Sequence, residues 1–145
     1  MSLSEQALAG ALSIADLRRI ARRRLPRAVF EFIDGGSEDE LTLAENRRAF
    51  ERRRIVRRVL VDVSEPSMRT SLLGAPTAAP FVIAPMGSCA LAWPEADLAI
   101  ARAACAAGIP YTLSTMSTTS IERMAQAVQG RLWFQLYVRS EEHTS

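Results

Sequence analysis

The chain has 145 residues, 48% of them hydrophobic, and a net charge of +2 in which all eighteen basic residues are arginine. That length suits one ordinary domain, and that apolar content argues against a disordered chain. The weak charge says little about partners, no stretch approaches the ~20 apolar residues of a membrane span, and one histidine with two cysteines lacking C-x-x-C spacing argues against a structural zinc site.

Residues 1–10 carry little pattern and read as a loose terminus. Ser13 followed by Asp16 marks a helix start, and Ile14, Leu17, Ile20, Ala21 and Leu25 continue at helical spacing. Pro26 ends that helix and opens a second, Arg27 to Ile33, which Gly35-Gly36 terminates. A third helix is expected from Asp39 to Phe50, with Leu41, Leu43, Ala44 and Phe50 partly inward. Residues 52–61 read as an extended segment rich in arginine. Met68 to Leu73 suggests a short strand closed by the turn Gly74-Ala75-Pro76.

From Phe81 the rhythm becomes β-α-β-α-β. Three apolar runs, Phe81 to Pro85, Ile109 to Ser114 and Leu132 to Val138, are bounded by Gly or Pro and separated by helical patterns. Pro94 is expected to begin the first of these helices, with Glu95 and Asp97 at the positive end of its dipole and Gly108 beyond its last turn. Thr119-Ser120-Ile121-Glu122 has capping-box spacing and opens the second. The pattern predicts an α/β fold with a parallel sheet. Cys89 and Cys105 sit in Ala-rich surroundings and read as reduced, buried small residues.

Parallel sheets gather ligands at the carboxyl ends of their strands. Alternation puts Trp133, Gln135 and Tyr137 on one face of the third strand, and Phe134, Leu136 and Val138 on an apolar face expected under helices. A buried amide or phenol needs a partner, so Gln135 and Tyr137 either satisfy each other or meet a ligand. Ser114 closes the second strand. The loop Pro85-Met86-Gly87 closes the first and offers main-chain groups at close approach, Gly87 having no Cβ. That rim suits a flat heteroaromatic ring with several acceptors better than a phosphate, and no Walker or dinucleotide glycine pattern occurs. No G-x-S-x-G surrounds the hydroxyl-rich stretch 114–120, which argues against a serine hydrolase. The arginine clusters at 22–24, 52–54 and 57–58 lack interleaved aromatics and read as a solvated face or as internal ion pairs. His143, in a polar tail, reads as a solvated residue.

The chain resembles the amino-terminal part of the FMN-dependent 2-hydroxy-acid dehydrogenases and oxidases, nearest to the bacterial (S)-mandelate and L-lactate dehydrogenases. The likeness rests on Leu25-Pro26, Phe32-Ile33-Asp34-Gly35-Gly36-Ser37-Glu38-Asp39-Glu40, Thr42-Leu43-Ala44-Glu45-Asn46-Arg47, Ile83-Ala84-Pro85-Met86-Gly87, Leu113-Ser114-Thr115 and Trp133-Phe134-Gln135-Leu136-Tyr137-Val138. The run Ala92-Trp93-Pro94 leans toward the mandelate type. The resemblance implies a (β/α)₈ TIM barrel holding FMN at the strand ends. On it, residues 1–78 are an N-terminal helical and irregular segment, 79–138 the first three strands of the barrel, and 139–145 a tail foreign to the family, of the kind a fusion scar leaves.

By the same resemblance Pro85, Met86, Gly87, Ser114 and Gln135 contact the flavin, and Tyr137 supports the developing carbonyl oxygen of a small 2-hydroxy acid. Many relatives place a carboxylate-binding Tyr where this chain has Phe32. The missing hydroxyl removes one hydrogen bond to a charged group, about 1.5–3 kcal/mol. The family's catalytic His, which takes the hydroxyl proton, lies beyond the C-terminus, as do its flavin-side Lys and carboxylate-clamping Arg residues. His143 lies outside the family's histidine motif. The expectation is therefore a fragment with no catalytic residue of its own and no metal site, inactive by itself. Its complete relative is expected to be a homo-oligomer in the cytoplasm or peripheral at the inner face of the membrane, with no nucleic-acid partner. The electron acceptor stays open. The competing expectation is a small α/β module that binds a phosphorylated ligand without redox chemistry.

Overall fold

A computed structural model describes residues 9–137. The chain forms two units, one reaching to Val61 and one beginning at Asp62.

The first unit holds α1 (Ile14–Arg24), α2 (Arg27–Asp34) and α3 (Leu41–Glu51). Ser13 caps α1 as its sequence predicts: its Oγ accepts from the Asp16 amide at 3.3 Å and donates to the Asp16 carboxylate at 2.8 Å. Pro26 precedes the first residue of α2 and Gly35 follows the last. Arg18 grips Asp34 through both nitrogens of one fork, at 2.5 and 2.6 Å, which ties α1 to the end of α2. This bond, ahead of any bulk charge effect, holds the Asp34 carboxyl below its ordinary value. Leu41, Leu43, Ala44 and Phe50 are exposed rather than partly inward. Leu43 and Ala44 instead line an open cleft of about 520 Å³ with Ile14, Ala15, Arg18 and Arg47. Three short helices bury only Phe30 among the large apolar residues described in this unit, too little to draw a third helix inward.

The second unit starts with a hairpin, β1 (Thr70–Leu72) and β2 (Ala75–Thr77), turning through Leu73 and Gly74, both at positive φ. Ala75 and Pro76 are therefore strand, not turn; two left-handed residues make the tight link a twisted hairpin favours. Long-range bonds fasten the hairpin to the parallel segments of this unit. Arg131 donates to the carbonyls of Leu72 and Ala75, and the Gly108 carbonyl receives both the Ala78 amide and the Thr77 hydroxyl. These bonds hold the hairpin within the second unit, which begins at Asp62.

Three parallel segments come next in sequence order. Ile83 bridges Tyr111, and β3 (Tyr111–Leu113) pairs with β4 (Leu132–Phe134). The first run, expected as a full strand, makes only this one bridge, with Ile83 donating to Pro110 at 3.0 Å and accepting from Thr112 at 3.1 Å. Proline at 80 and 85 brackets it, and proline cannot donate to a ladder.

Between these segments lie α4 (Ala96–Ala106) and α5 (Ile121–Ala127). Helix α4 starts two residues later than Pro94 suggested; Pro94 lies in a turn and Glu95 is the cap residue. It ends where its sequence predicts. Gly108 takes φ +68, its amide bonds to Cys105 and the Ile109 amide to Ala104, the paired closure that a glycine permits at a helix end. The cap of α5 is Ser120, whose hydroxyl accepts from the Arg123 amide at 3.2 Å, not Thr119.

The core forms where α4 and α5 cover β3: Leu98, Ala101, Ala104, Tyr111, Leu113, Met124 and Val128. Phe134 and Leu136 are exposed, contrary to expectation, since no helix of the described residues covers that face. Cys89 and Cys105 are free thiols and half-buried rather than buried.

Gly130 lies against Cys105: a Cβ there would collide with the Cys105 sulfur. Gly130→Ala should destabilise the second unit by about 1–3 kcal/mol, measured as a shift in the urea midpoint. The shift should shrink in a Cys105→Ala background.

Candidate functional site

The carboxyl ends of the three parallel segments meet in one rim, formed by the Pro85-Met86-Gly87 turn after Ile83, by Ser114 after β3, and by Gln135 and Tyr137 after β4. Ser114 is buried. It donates to the Gln135 amide oxygen at 3.2 Å and accepts from the Met116 amide at 3.1 Å. The Gln135 amide nitrogen reaches the Tyr137 hydroxyl at 3.4 Å. The Gln135 main chain is fixed as well, its amide bonded to Leu113 at 2.9 Å and its carbonyl to the Thr115 hydroxyl.

These bonds have directions. The one Ser114 proton goes to the amide oxygen, and one amide hydrogen goes to the phenol. A second Gln135 hydrogen and the Tyr137 proton remain to be donated. Gln135 and Tyr137 thus satisfy each other and still offer donors at the rim. Tyr137 is 48% exposed.

At the turn, Met86 and Gly87 are exposed. Among the described residues their amides donate to no main-chain carbonyl, whereas the next amide, Ser88, bonds to the Met116 carbonyl at 3.1 Å. Glycine at 87 also opens a close approach between two loops. A Cβ would fall 2.9 Å from the Cβ of Met116, so the missing side chain lets two loops approach each other. Phe32 lies on α2 in the first unit and is 71% exposed.

Sequence reasoning missed the group beneath the rim. Asp97 is only 1% exposed; its carboxylate accepts from Tyr111 Oη at 3.1 Å and from Ser117 Oγ at 2.8 Å. Burial, and then the Asp97 charge, push the Tyr111 phenol well above its ordinary value, so it stays a donor. The same two causes push the Cys89 thiol up. A signal was present in the sequence: Asp97 shares helical spacing with Ala101 and Ala104, a carboxylate in an apolar stripe.

Comparison with known proteins gives a consistent picture. The family model of FMN-dependent dehydrogenases matches residues 21–145. A Mycobacterium tuberculosis protein, provisionally named an L-lactate dehydrogenase, is 50% identical over 136 residues, covering 93% of this chain and 33% of that protein. The (S)-mandelate dehydrogenase of Pseudomonas putida is 44% identical over 130 residues, covering 90% of this chain and 33% of its own length. A soluble mutant of that membrane-associated enzyme superposes with a TM-score of 0.87 at 44% identity, over 92% of this chain and 38% of that one. A mandelate oxidase mutant solved with an FMN adduct superposes at 0.81 with 42% identity, over 88% and 39%. The chain spans about a third of the length of the curated relatives it matches.

Ser114→Ala would strand a Met116 amide and a Gln135 oxygen, at about 1–3 kcal/mol. Tyr137→Phe removes a half-exposed hydroxyl and should stay within about 0.5 kcal/mol of wild type. Urea unfolding of the two variants checks that the phenol is dispensable for folding while the serine is not.

Proposed function

This chain belongs to the FMN-dependent dehydrogenase family, and from that premise we propose that it forms the FMN-facing rim of an enzyme that oxidises an L-2-hydroxy acid, of mandelate or lactate type, to the 2-oxo acid. The observation that carries the proposal is the directed chain from Ser114 through Gln135 to Tyr137 beside the Met86 and Gly87 amides, which donate to no main-chain carbonyl among the described residues. On this reading the three parallel segments are the first staves of a (β/α)₈ barrel. High identity and close superposition over most of this chain support it.

The rim suits FMN. Main-chain donors at 86 and 87, an amide hydrogen of Gln135 and the Ser114 hydroxyl would hold a flat ring with several acceptors. FMN when bound supplies the acceptor for the hydride from the α-carbon of the substrate. The residues of this chain bind and orient. Gln135 takes one lone pair of Tyr137, which leaves the phenol to donate to the substrate oxygen that becomes a carbonyl. The position matched to the family's carboxylate-binding Tyr is Phe32, whose side chain has no hydroxyl to donate.

Among the described residues there is no histidine, so the rim holds no imidazole to take the hydroxyl proton near neutral pH. His143 lies outside the described residues; on this reading the 145 residues by themselves bind flavin and do not turn over. No helix of the described residues is long and apolar enough to cross a membrane. We place the complete enzyme in the cytoplasm or peripheral at the membrane, the latter by analogy with the membrane-associated relative.

A chimera tests the function. Residues 21–137 would replace the matching segment of the (S)-mandelate dehydrogenase. The chimera should retain yellow FMN and reduce a dye with an L-2-hydroxy acid, whereas the isolated chain should quench flavin fluorescence and reduce nothing. A folded chimera without flavin overturns the reading; turnover by the isolated chain overturns its inactivity. In the active chimera, Phe32→Tyr should lower KM for the 2-hydroxy acid about tenfold or more, the equivalent of one hydrogen bond to a charged group, with little change in kcat.

A further inference from the structure

Asp97 is an unusual residue for the interior of a small unit. It is buried on the first turn of α4, and no basic side chain pairs with it among the described residues. Its position at the positive end of α4 lessens the cost of burying a charge, but a well-packed apolar side chain would cost less still. Stability alone does not explain a carboxylate here.

Its two bonds point in different directions. Tyr111 anchors it to β3. Ser117 ties it to the loop after β3, and the Ser117 hydroxyl also accepts from the Thr119 amide at 3.0 Å. That loop is wound tightly: the Ser117 amide bonds to the Ser114 carbonyl at 3.1 Å, and the Met116 amide to the Ser114 hydroxyl. It then reaches across to the first loop, where the Met116 carbonyl holds the Ser88 amide and the Met116 Cβ fills the space beside Gly87. Ser88 has φ +55, a left-handed conformation that a non-glycine residue keeps only when its surroundings enforce it.

We propose that Asp97 is the positioning residue of the rim: through Ser117 it holds the loop after β3 against the Pro85-Met86-Gly87 turn, so that Ser114 and the turn present their groups to the flavin together. The proposal rests on reading the rim as the FMN site. Asp97 does not touch the ligand. It acts through Ser117, Met116 and Ser88, and it sets the distance between two loops that β3 alone does not join.

The test is amide hydrogen exchange and FMN titration on the 145-residue chain, as wild type, Asp97→Asn and Ser117→Ala. In both variants the Ser88 and Ser117 amides should exchange at least tenfold faster, while the Met124 and Val128 amides of α5 keep their wild-type rates. The dissociation constant for FMN, read by flavin fluorescence, should rise about tenfold. Should Asp97→Asn fail to fold, Ser117→Ala carries the test, since it removes the link to the loop, with the acceptor of the Thr119 amide, and leaves the Asp97–Tyr111 bond in place. A wild-type Ser88 rate in Ser117→Ala overturns the proposal. So does equal acceleration along the whole chain, which marks a carboxylate that serves stability alone. Rim amides that respond as expected in a chain that binds no FMN support the positioning and overturn the flavin reading, so the two failures are distinguishable.

Discussion

Strand β3 is buried along its length, with β4 on one edge and the single bridge to Ile83 on the other, and the rest of the second unit depends on that. A buried strand has no water to satisfy its main chain. Its amides and carbonyls must therefore pair on both sides, alternately with Ile83 on one edge and with the 131–135 segment on the other. Leu98, Ala101 and Ala104 of α4 and Met124 of α5 then close over Tyr111 and Leu113. Small residues on α4 let the helix lie close to the strand, and Gly108 lets the chain turn directly from that helix into β3. Gly130 does the same work of close approach on the far side, against Cys105.

The chemistry of the rim grows out of the same constraint. Just past the end of β3, Ser114 is still buried, so its hydroxyl must find partners inside the protein. It finds the amide of its own loop and the side chain of Gln135, just past the end of the neighbouring strand. That arrangement orients Gln135, which in turn orients Tyr137. Each polar group meets its own requirement with a neighbour and passes a donor outward. Asp97 applies the same logic one layer down, with Tyr111 and Ser117 as its donors.

The first unit is built on different terms. Its helices bury little, and ion pairs such as Arg18–Asp34, Arg27–Glu31 and Arg52–Glu45 run along exposed faces, where screening leaves each with a small contribution. Of the arginine clusters, Arg52 pairs with Glu45 and Arg54 donates to the Glu51 carbonyl, which fits a solvated face.

The sequence by itself determined the local features: the Ser13 cap, the helix ends at Gly35 and Gly108, the β-α-β-α-β order, and the rim residues Ser114, Gln135 and Tyr137. Each depends on neighbours a few residues away or on strand alternation, and such information is carried in the chain's own spacing. The tertiary structure decided the rest. The hairpin joined the second unit because Arg131 reaches back 59 positions to Leu72. The first run kept a single bridge because prolines bracket it. The close approach of Met116 to Gly87 and the burial of Asp97 both depend on which loops meet across the sheet. Contacts between residues far apart in sequence leave no periodicity to read. That is why the rim was legible from the chain and the group holding it in place was not.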